Sequence, residues 1–281
     1  MAYTMYNLDR IINIKSLVSA FQVIYDETFN FKGEMHNFWE IVYVLDGKIG
    51  VAADSRIYEL TKNQIIFHKP MEFHRLWSEG GTKPHLIIMS FDADGIGMKR
   101  FENGIFQMDF EGAQMIKDII TYVHTAFEPW GTTLLKARST KDEMALQLIA
   151  TSLEYFLLTV FKKSISKEGI NTQSARNYRR IIDVLNSHVY KSLTLEEIAA
   201  VCNMSVSNLK KTFKKYSDEG VISYFNKMKI RKSIDLLKQD LSIGEISEML
   251  SFSSPNYFST VFKKETGQPP INYKKSEQRL L

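Results

Sequence analysis

Two sets of side chains in this 281-residue chain have types and spacings that suit chemistry. In the N-terminal third, His36, Glu40, His74 and Arg75 supply imidazole, carboxylate and guanidinium groups, with the rings of Trp39, Tyr43 and Phe67 nearby in sequence. Two imidazoles and a carboxylate can form a metal face with open positions. The same groups, with rings to stack on, also suit a hydroxyl-rich small molecule in an otherwise apolar pocket. In the C-terminal third, Ser207, Asn208, Lys210, Lys211 and Lys214 are echoed by Ser254, Asn256, Ser259, Thr260, Lys263 and Lys264. Asn can bond an adenine edge at two points, Ser and Thr reach bases or phosphates, and Lys neutralises phosphate or meets guanine. Lysine pairs at helix ends would make such binding steeply salt-dependent. The chain has no glycine-rich phosphate loop, no serine nucleophile elbow and no metalloprotease helix motif, so no enzymatic activity is expected.

The second set needs helices to present it. Thr194 with Glu197, and Ser242 with Glu245, have capping-box spacing, which predicts short helices over Leu195–Val201 and Ile243–Leu250. Each is followed by a break, Cys202-Asn203-Met204 or Ser251-Phe252-Ser253, and then by a second helix. One runs from Ser205 to Tyr216; the other opens at Ser254-Pro255, with proline at the first helical position. Leu195, Ile198, Leu209 and Phe213 align with Ile243, Ile246, Phe258 and Phe262, with Tyr257 and Val261 also read as inward. Apolar anchors between two helices joined by a tight turn describe a helix-turn-helix unit, here twice. The first set needs strands. Ile41–Leu45, Ile49–Ala53, Arg56–Leu60, Gln64–His68, His74–Trp77 and Leu86–Phe91 read as short β-segments, with Asp46-Gly47 as a hairpin signal. Even spacing of many short strands suggests a barrel or sandwich. Between the two sets, Glu111–Ala126 and Thr140–Lys163 carry helical periodicity. In the latter, Met144, Leu148, Thr151, Tyr155 and Leu158 fall near one stripe with Leu146, Ile149, Leu153, Phe156 and Val160 nearby, a band wider than one intrachain contact needs; this predicts a homodimer, with packing inside the chain as the alternative.

The segment 229–275 resembles the signature of the AraC/XylS (arabinose-regulator) family. Its elements are Arg231 with Ser233, Leu236-Leu237, Ile243 and Ile246, Ser251-Phe252, Tyr257-Phe258-Ser259, Phe262-Lys263-Lys264 and Gly267 with Pro270. The likeness spans roughly the last 100 residues. Ser251 replaces the usual glycine, and Thr260 stands where an arginine is common. The resemblance implies that residues 221–237 form a connecting helix holding both units on one face of double-stranded DNA. It also implies an N-terminal sensor domain of the cupin barrel type. His36, Glu40 and Gly47 resemble the first cupin motif with Phe38 at its second histidine, and Pro70 with His74 resembles the second motif, with Glu72 for glycine. In metal-binding cupins the matching positions ligate a metal. In this regulator family they are usually polar groups that line or brace the barrel, so no metal and no cofactor is expected. His68 and His85 are read as ordinary strand residues. The alternative is a metal-dependent cupin enzyme with an appended helical domain.

Charge is divided unevenly. Up to Ile170 there are 18 Lys+Arg against 21 Asp+Glu, a balance of −3; beyond it there are 18 against 11, a balance of +7. A basic block beside a mildly acidic one suits a polyanion-binding module joined to another domain. The single cysteine, Cys202, staples nothing within the chain and fits a reducing cytoplasm. No uninterrupted apolar run approaches the ~18 residues of a membrane span, and no signal-peptide core opens the chain. The expectation is an α+β chain: a cupin-like effector-sensing barrel (1–110), a helical dimerisation segment (111–163), a linker (164–176) and an all-α double helix-turn-helix domain (177–281). Its partners would be duplex DNA, a small-molecule effector, a sugar in the first instance, and a second copy, with no membrane; His36, Trp39, Glu40, Tyr43, Phe67, His74 and Arg75 would bind the effector.

Overall fold

A computed structural model of the chain describes residues 4–130, 134–137, 142–166, 169–239 and 241–278. The first strands are β1 (Asn13–Ile24), β2 (Trp39–Asp46), β3 (Lys48–Ala53), β4 (Arg56–Thr61), β5 (Gln64–His68), β6 (His74–Ser78), β7 (His85–Asp94) and β8 (Ile105–Gln107). Then come α1 (Phe110–Ala126), a hairpin of β9 (Phe127–Trp130) and β10 (Leu134–Ala137), α2 (Glu143–Phe161) and the two-residue β11 (Ile165–Ser166). The remainder is helical: α3 (Gln173–Ser187), α4 (Leu195–Val201), α5 (Val206–Tyr216), α6 (Val221–Leu237), α7 (Ile243–Met249), α8 (Pro255–Thr266) and α9 (Pro270–Gln278). The fold class is the expected one, antiparallel sheets followed by a helical helix-turn-helix domain.

Two sheets face each other, one ordered β1-β7-β2-β5-β8-β11 and the other β4-β3-β6. Because successive strand residues point to opposite faces, each sheet has two apolar sides, and each side is covered. Val42, Val44, Ile66 and Leu86 meet Val51, Tyr58, Leu60 and Leu76 between the sheets. Behind the larger sheet, Ile41, Ile65, Ile87 and Met89 pack on Ile116, Ile119 and Val123 of α1 and Ile149, Leu153 and Phe156 of α2. Behind the smaller sheet, Ala52 and Ile57 join Tyr178, Ile181, Leu209, Phe213 and Tyr224 in the core of the first helix-turn-helix unit. The second unit closes around Ile230, Ile246, Leu250, Phe258 and Phe262.

Two local readings change. Asp46-Gly47 closes no hairpin, because β2 and β3 belong to different sheets. Gly47 (φ 77°) turns the chain from one sheet to the other, and a Cβ there would lie 2.9 Å from the Lys83 carbonyl oxygen. The tight hairpin is β3–β4, turning at Asp54 (φ 46°). The 164–176 segment is docked in its described part: β11 pairs with Phe106 and Ile105, Ile170 donates its N–H to Ile57 O at 2.6 Å, and Thr172 caps α3. Finally, α2 has 19 residues and a mean hydropathy of 1.6, enough to cross a membrane by length and composition, although its polar residues break every long apolar run. One side of it packs in the core through Ala145, Ile149, Leu153 and Phe156; Met144 (71% exposed), Leu148, Tyr155 (58%) and Leu158 remain on the outside.

Candidate functional site

Strand alternation sorts the residues of the N-terminal half. On β2, Glu40 points between the sheets, whereas Trp39 and Tyr43 point toward α1 and α2; on β5, Phe67 does the same. The expectation that Trp39, Tyr43 and Phe67 stack on an effector is therefore overturned. The Tyr43 hydroxyl donates to Asn63 Oδ1 at 2.9 Å, and Phe67 packs on Phe101 and Phe106.

Around Glu40 a buried polar cluster forms. Glu40 Oε2 accepts from Ser90 Oγ at 3.0 Å, and Ser19 Oγ donates to Ser90 Oγ at 3.0 Å. His36 Nε2 lies 3.6 Å from Glu40 Oε2, and His74 Nε2 lies 3.4 Å from Glu40 Oε1 and 3.7 Å from Glu34 Oε1. Both rings are held from behind, His36 Nδ1 at 3.1 Å from Phe38 O and His74 Nδ1 at 3.1 Å from Glu72 O. A carbonyl only accepts, so each Nδ1 carries a hydrogen and Nε2 is the inward nitrogen. His68 is no ordinary strand residue: it stacks on His74 at 4.3 Å, and its Nδ1 is 2.8 Å from Glu72 Oε2. Burial alone would raise the Glu40 carboxyl, but the charge on His74 and the neighbouring His36 outweigh it and hold it below the usual carboxylate range. Burial opposes charge on His74, yet Glu40 and then Glu34 push its pKa up to about 10. Burial, then the charge on His74, holds His68 well below the ordinary imidazole range. Burial, with Asp54 close by, lifts Glu72 to about 8. Among the described residues, Glu34, His36, Glu40 and His74 bring donor atoms within 4.8 Å of one another.

The cluster forms the floor of a cavity of about 340 Å³. Its walls are aromatic and aliphatic: Tyr25 and Phe29, stacked at 3.6 Å, with Phe21, Phe31, Phe38, Val18, Leu76 and Ile88. The polar groups facing it are Ser19, Glu34, His36, Glu40 and Ser90.

The ribbon that carries the cluster has a second face. Glu34 and His74 exchange backbone hydrogen bonds at 2.9 and 3.0 Å, and Met71 donates its N–H to His36 O at 2.7 Å. Glu34, His36 and His74 face inward, and their neighbours grip the helices instead. Met35 Sδ lies 3.3 Å from Arg231 Nη2, and Asn37 Nδ2 reaches the Tyr273 hydroxyl at 3.5 Å. Met71 packs against the second helix-turn-helix core, and Phe73 meets Tyr224 edge-on at 5.2 Å. Arg75, expected in the effector pocket, also lies on this outer face. Its Nη1 donates to Lys215 O at 3.0 Å, capping the end of α5, and Nη2 donates to Asn30 Oδ1 at 2.8 Å. Asp54 and Arg231 add an ion pair at 2.8 Å.

In the helical half, both capping boxes are formed, at Thr194/Glu197 and Ser242/Glu245. The turns pass through left-handed residues at matching places, Asn203 (φ 55°) and Ser251 (φ 51°). Leu209 and Phe213 anchor α5, and Phe258 and Phe262 anchor α8. Tyr257, read as inward, is 45% exposed, and its hydroxyl accepts from Asn226 Nδ2 at 3.4 Å. Ser207, Asn208, Lys210, Lys211 and Lys214 are exposed on α5; Asn256, Thr260, Lys263 and Lys264 are exposed on α8, with Ser254 and Ser259 half-buried. Helix α6 occupies the stretch that the resemblance assigned to a connecting helix and contributes Tyr224 and Phe225 to one unit and Ile230 and Ile234 to the other.

Residues 19–97 match the AraC-like ligand binding domain and residues 198–276 match a helix-turn-helix domain; together they cover more than half of the chain. The chain belongs to the AraC family of transcriptional regulators. It is 25% identical over 256 residues to the HTH-type transcriptional regulator YfiF of Bacillus subtilis, covering 84% of this chain and 76% of YfiF. To the HTH-type transcriptional activator RhaR of Enterobacter sp. it is 23% identical over 87% of both chains. Several other relatives are matched over about half of their length, 45% to 49%. The crystal structure of ToxT from Vibrio cholerae aligns over 92% of this chain and 96% of that one, at 17% identity and a TM-score of 0.37, a likeness too distant to argue from.

In this AraC-type chain, sequence reasoning brought His36, Glu40 and His74 together but missed Glu34, His68, Glu72 and the cavity rings Tyr25, Phe29, Phe31 and Phe38. Strict period-two counting from Glu40 would have removed Trp39 and Tyr43. Counting from His74 would have removed Arg75. Glu34, two residues before His36 on the same side of an extended ribbon, was legible in the same way.

Proposed function

We propose that this AraC-family regulator reads a small polar effector in the sheet-enclosed cavity and reports its presence to the DNA-binding helices through the 34–37 and 71–75 ribbon. The observation that carries the reading is the shared backbone: residues facing the cavity floor alternate with residues gripping α5, α6 and α9. A ligand that binds one arrangement of the ribbon more tightly shifts the population of docked DNA-binding domains. The carboxylates, imidazole and serine hydroxyls on the floor, with rings around them, suit a hydroxyl-rich molecule such as a sugar. Ser207, Asn208, Lys210, Lys211 and Lys214, with Ser254, Asn256, Ser259, Thr260, Lys263 and Lys264, are the proposed DNA contacts, supported by their position on two basic, similarly built helices. The exposed α2 stripe supports a homodimer, for which Leu148→Glu with Tyr155→Glu should turn the sedimentation profile monomeric. Regulation of transcription in the cytoplasm without catalysis is the role proposed, in preference to the enzyme alternative. A thermal-shift screen of sugars and related metabolites tests the effector reading, since a ligand of the folded state raises Tm. A hit must also change affinity for operator DNA, and it must lose its effect when Ser90→Leu fills the cavity floor. A hit indifferent to Ser90→Leu would place the effector elsewhere.

A further inference from the structure

We propose that Ser251 is a positioning residue for DNA reading, whose hydroxyl ties the two helix-turn-helix units together and so sets the half-site spacing the chain accepts. Ser251 Oγ donates to Tyr190 O at 2.7 Å, across 61 residues of sequence. Tyr190 belongs to the loop between α3 and α4, and Ser251 to the turn between α7 and α8, so the bond joins the units directly. Both ends are held. Beside Tyr190, Lys191 donates its N–H to His188 O at 2.8 Å, and His188 donates its own to Val184 O at 3.2 Å. Ser251 donates its N–H to Glu248 O at 2.8 Å, and its carbonyl faces Lys229 Nζ of α6 at 3.5 Å.

Position 251 is strained for a serine. Its φ of 51° is left-handed, a conformation that serine seldom adopts and glycine takes freely. Glycine, usual at this place in the family, would relieve the strain but has no side chain to reach Tyr190. The matching residue of the first unit, Asn203 at φ 55°, is of a type that tolerates this backbone. The other joint between the units is α6, which contributes to both cores. A helix of that length curves under load, and a second tie beside it limits the movement. One base pair of duplex is ~3.4 Å of rise and roughly 35° of rotation, so a stiffened pair of units should favour one spacing. The inference rests on the reading that α5 and α8 carry the DNA contacts.

The test begins with the full-length chain selecting a duplex from a randomised pool. Asn208→Ala and Asn256→Ala, one on each recognition helix, then locate the base pairs that each unit reads. Fluorescence anisotropy compares the selected duplex with versions carrying one base pair more or fewer between the two halves. Ser251→Gly and Ser251→Ala both delete the hydroxyl, but glycine relaxes the left-handed turn and alanine keeps it strained. Both should cut the wild-type preference for the selected spacing about fivefold, the factor that one hydrogen bond of ordinary net strength is worth. A role in stability alone would change affinity at every spacing alike and leave that ratio intact. A ratio unchanged in both variants, a ratio reduced in only one, or a wild-type chain indifferent to spacing overturns the proposal while leaving the DNA reading in place. A wild-type chain that enriches no duplex overturns both.

Discussion

The Asp54–Arg231 pair is where charge fastens the sheets to α6, and its worth can be measured. The atoms are 2.8 Å apart, and the side chains are 22% and 27% exposed. At that distance and an effective dielectric of ~20, the gross attraction is about 6 kcal/mol. Desolvation of two mostly covered charges takes back the larger part, while fully exposed pairs retain only ~0.2–1 kcal/mol. A coupling of about 2 kcal/mol lies between these limits. Asp54 also accepts the Phe73 N–H at 3.2 Å and sits at φ 46°, so Asp54→Asn is the suitable partner substitution. It keeps an acceptor and tolerates the left-handed backbone. With Arg231→Gln it completes a double-mutant cycle. Each single change should cost roughly 2–3 kcal/mol, and the double change about 2 kcal/mol less than their sum. Urea unfolding followed by tryptophan fluorescence reads this directly, because Trp77 lies at the same interface, 6.3 Å from Tyr216. Additive costs, with a coupling below about 0.5 kcal/mol, would refute a charge clamp between the halves.

Other outcomes follow from the helical half. Asn256→Ala should relax base preference, whereas Lys264→Ala should weaken binding to every duplex and lower the salt slope by about 1, as read by anisotropy on operator and scrambled DNA. Thr194→Ala and Ser242→Ala each remove the acceptor for a first-turn N–H and should cost about 1 kcal/mol in thermal unfolding. Lys229 is buried beside Phe225 and Phe252, and desolvation pulls its pKa down to about 8. Between that value and the unfolded one, the unfolded chain holds a proton that the native chain does not, so stability rises with pH. Lys229→Met should therefore raise Tm at pH 7, and its advantage should shrink as pH climbs from 8 to 10.

The helical half was the more legible because its signals are local. Capping boxes, Pro255 at a helix start and apolar anchors three or four apart each act within one or two turns, and residues 221–237 emerge as α6 with the bounds that the resemblance implied. The strands were legible as strands but not as a sheet order. Nothing in Asp46-Gly47 says whether the next strand pairs with the last one or leaves for the opposite sheet. The candidate site suffered from the same non-locality. Trp39, Phe67 and Arg75 are adjacent in sequence to Glu40, His68 and His74, Tyr43 lies three residues after Glu40, and an odd offset along a strand means opposite faces. Tyr25, Phe29 and Phe31 arrive from a loop after β1 whose path depends on the completed sandwich. The polar 164–176 stretch looked like a tether; its few apolar residues, Ile165 and Ile170, hold it to the sheets.

The outer surface of β3 and β4 has a consequence for how this protein can be taken apart. Ala52 and Ile57 from the sheets, with Phe73, belong to the same apolar cluster as Tyr178, Phe213 and Tyr224 of the reader. Severing the chain after Ser166 would leave a sensor with a sticky wall and a reader with a hole in its side. The two pieces, produced apart, should aggregate or seek each other out. Grafting a foreign sensor onto these helices would require repairing that seam as well as joining the ends.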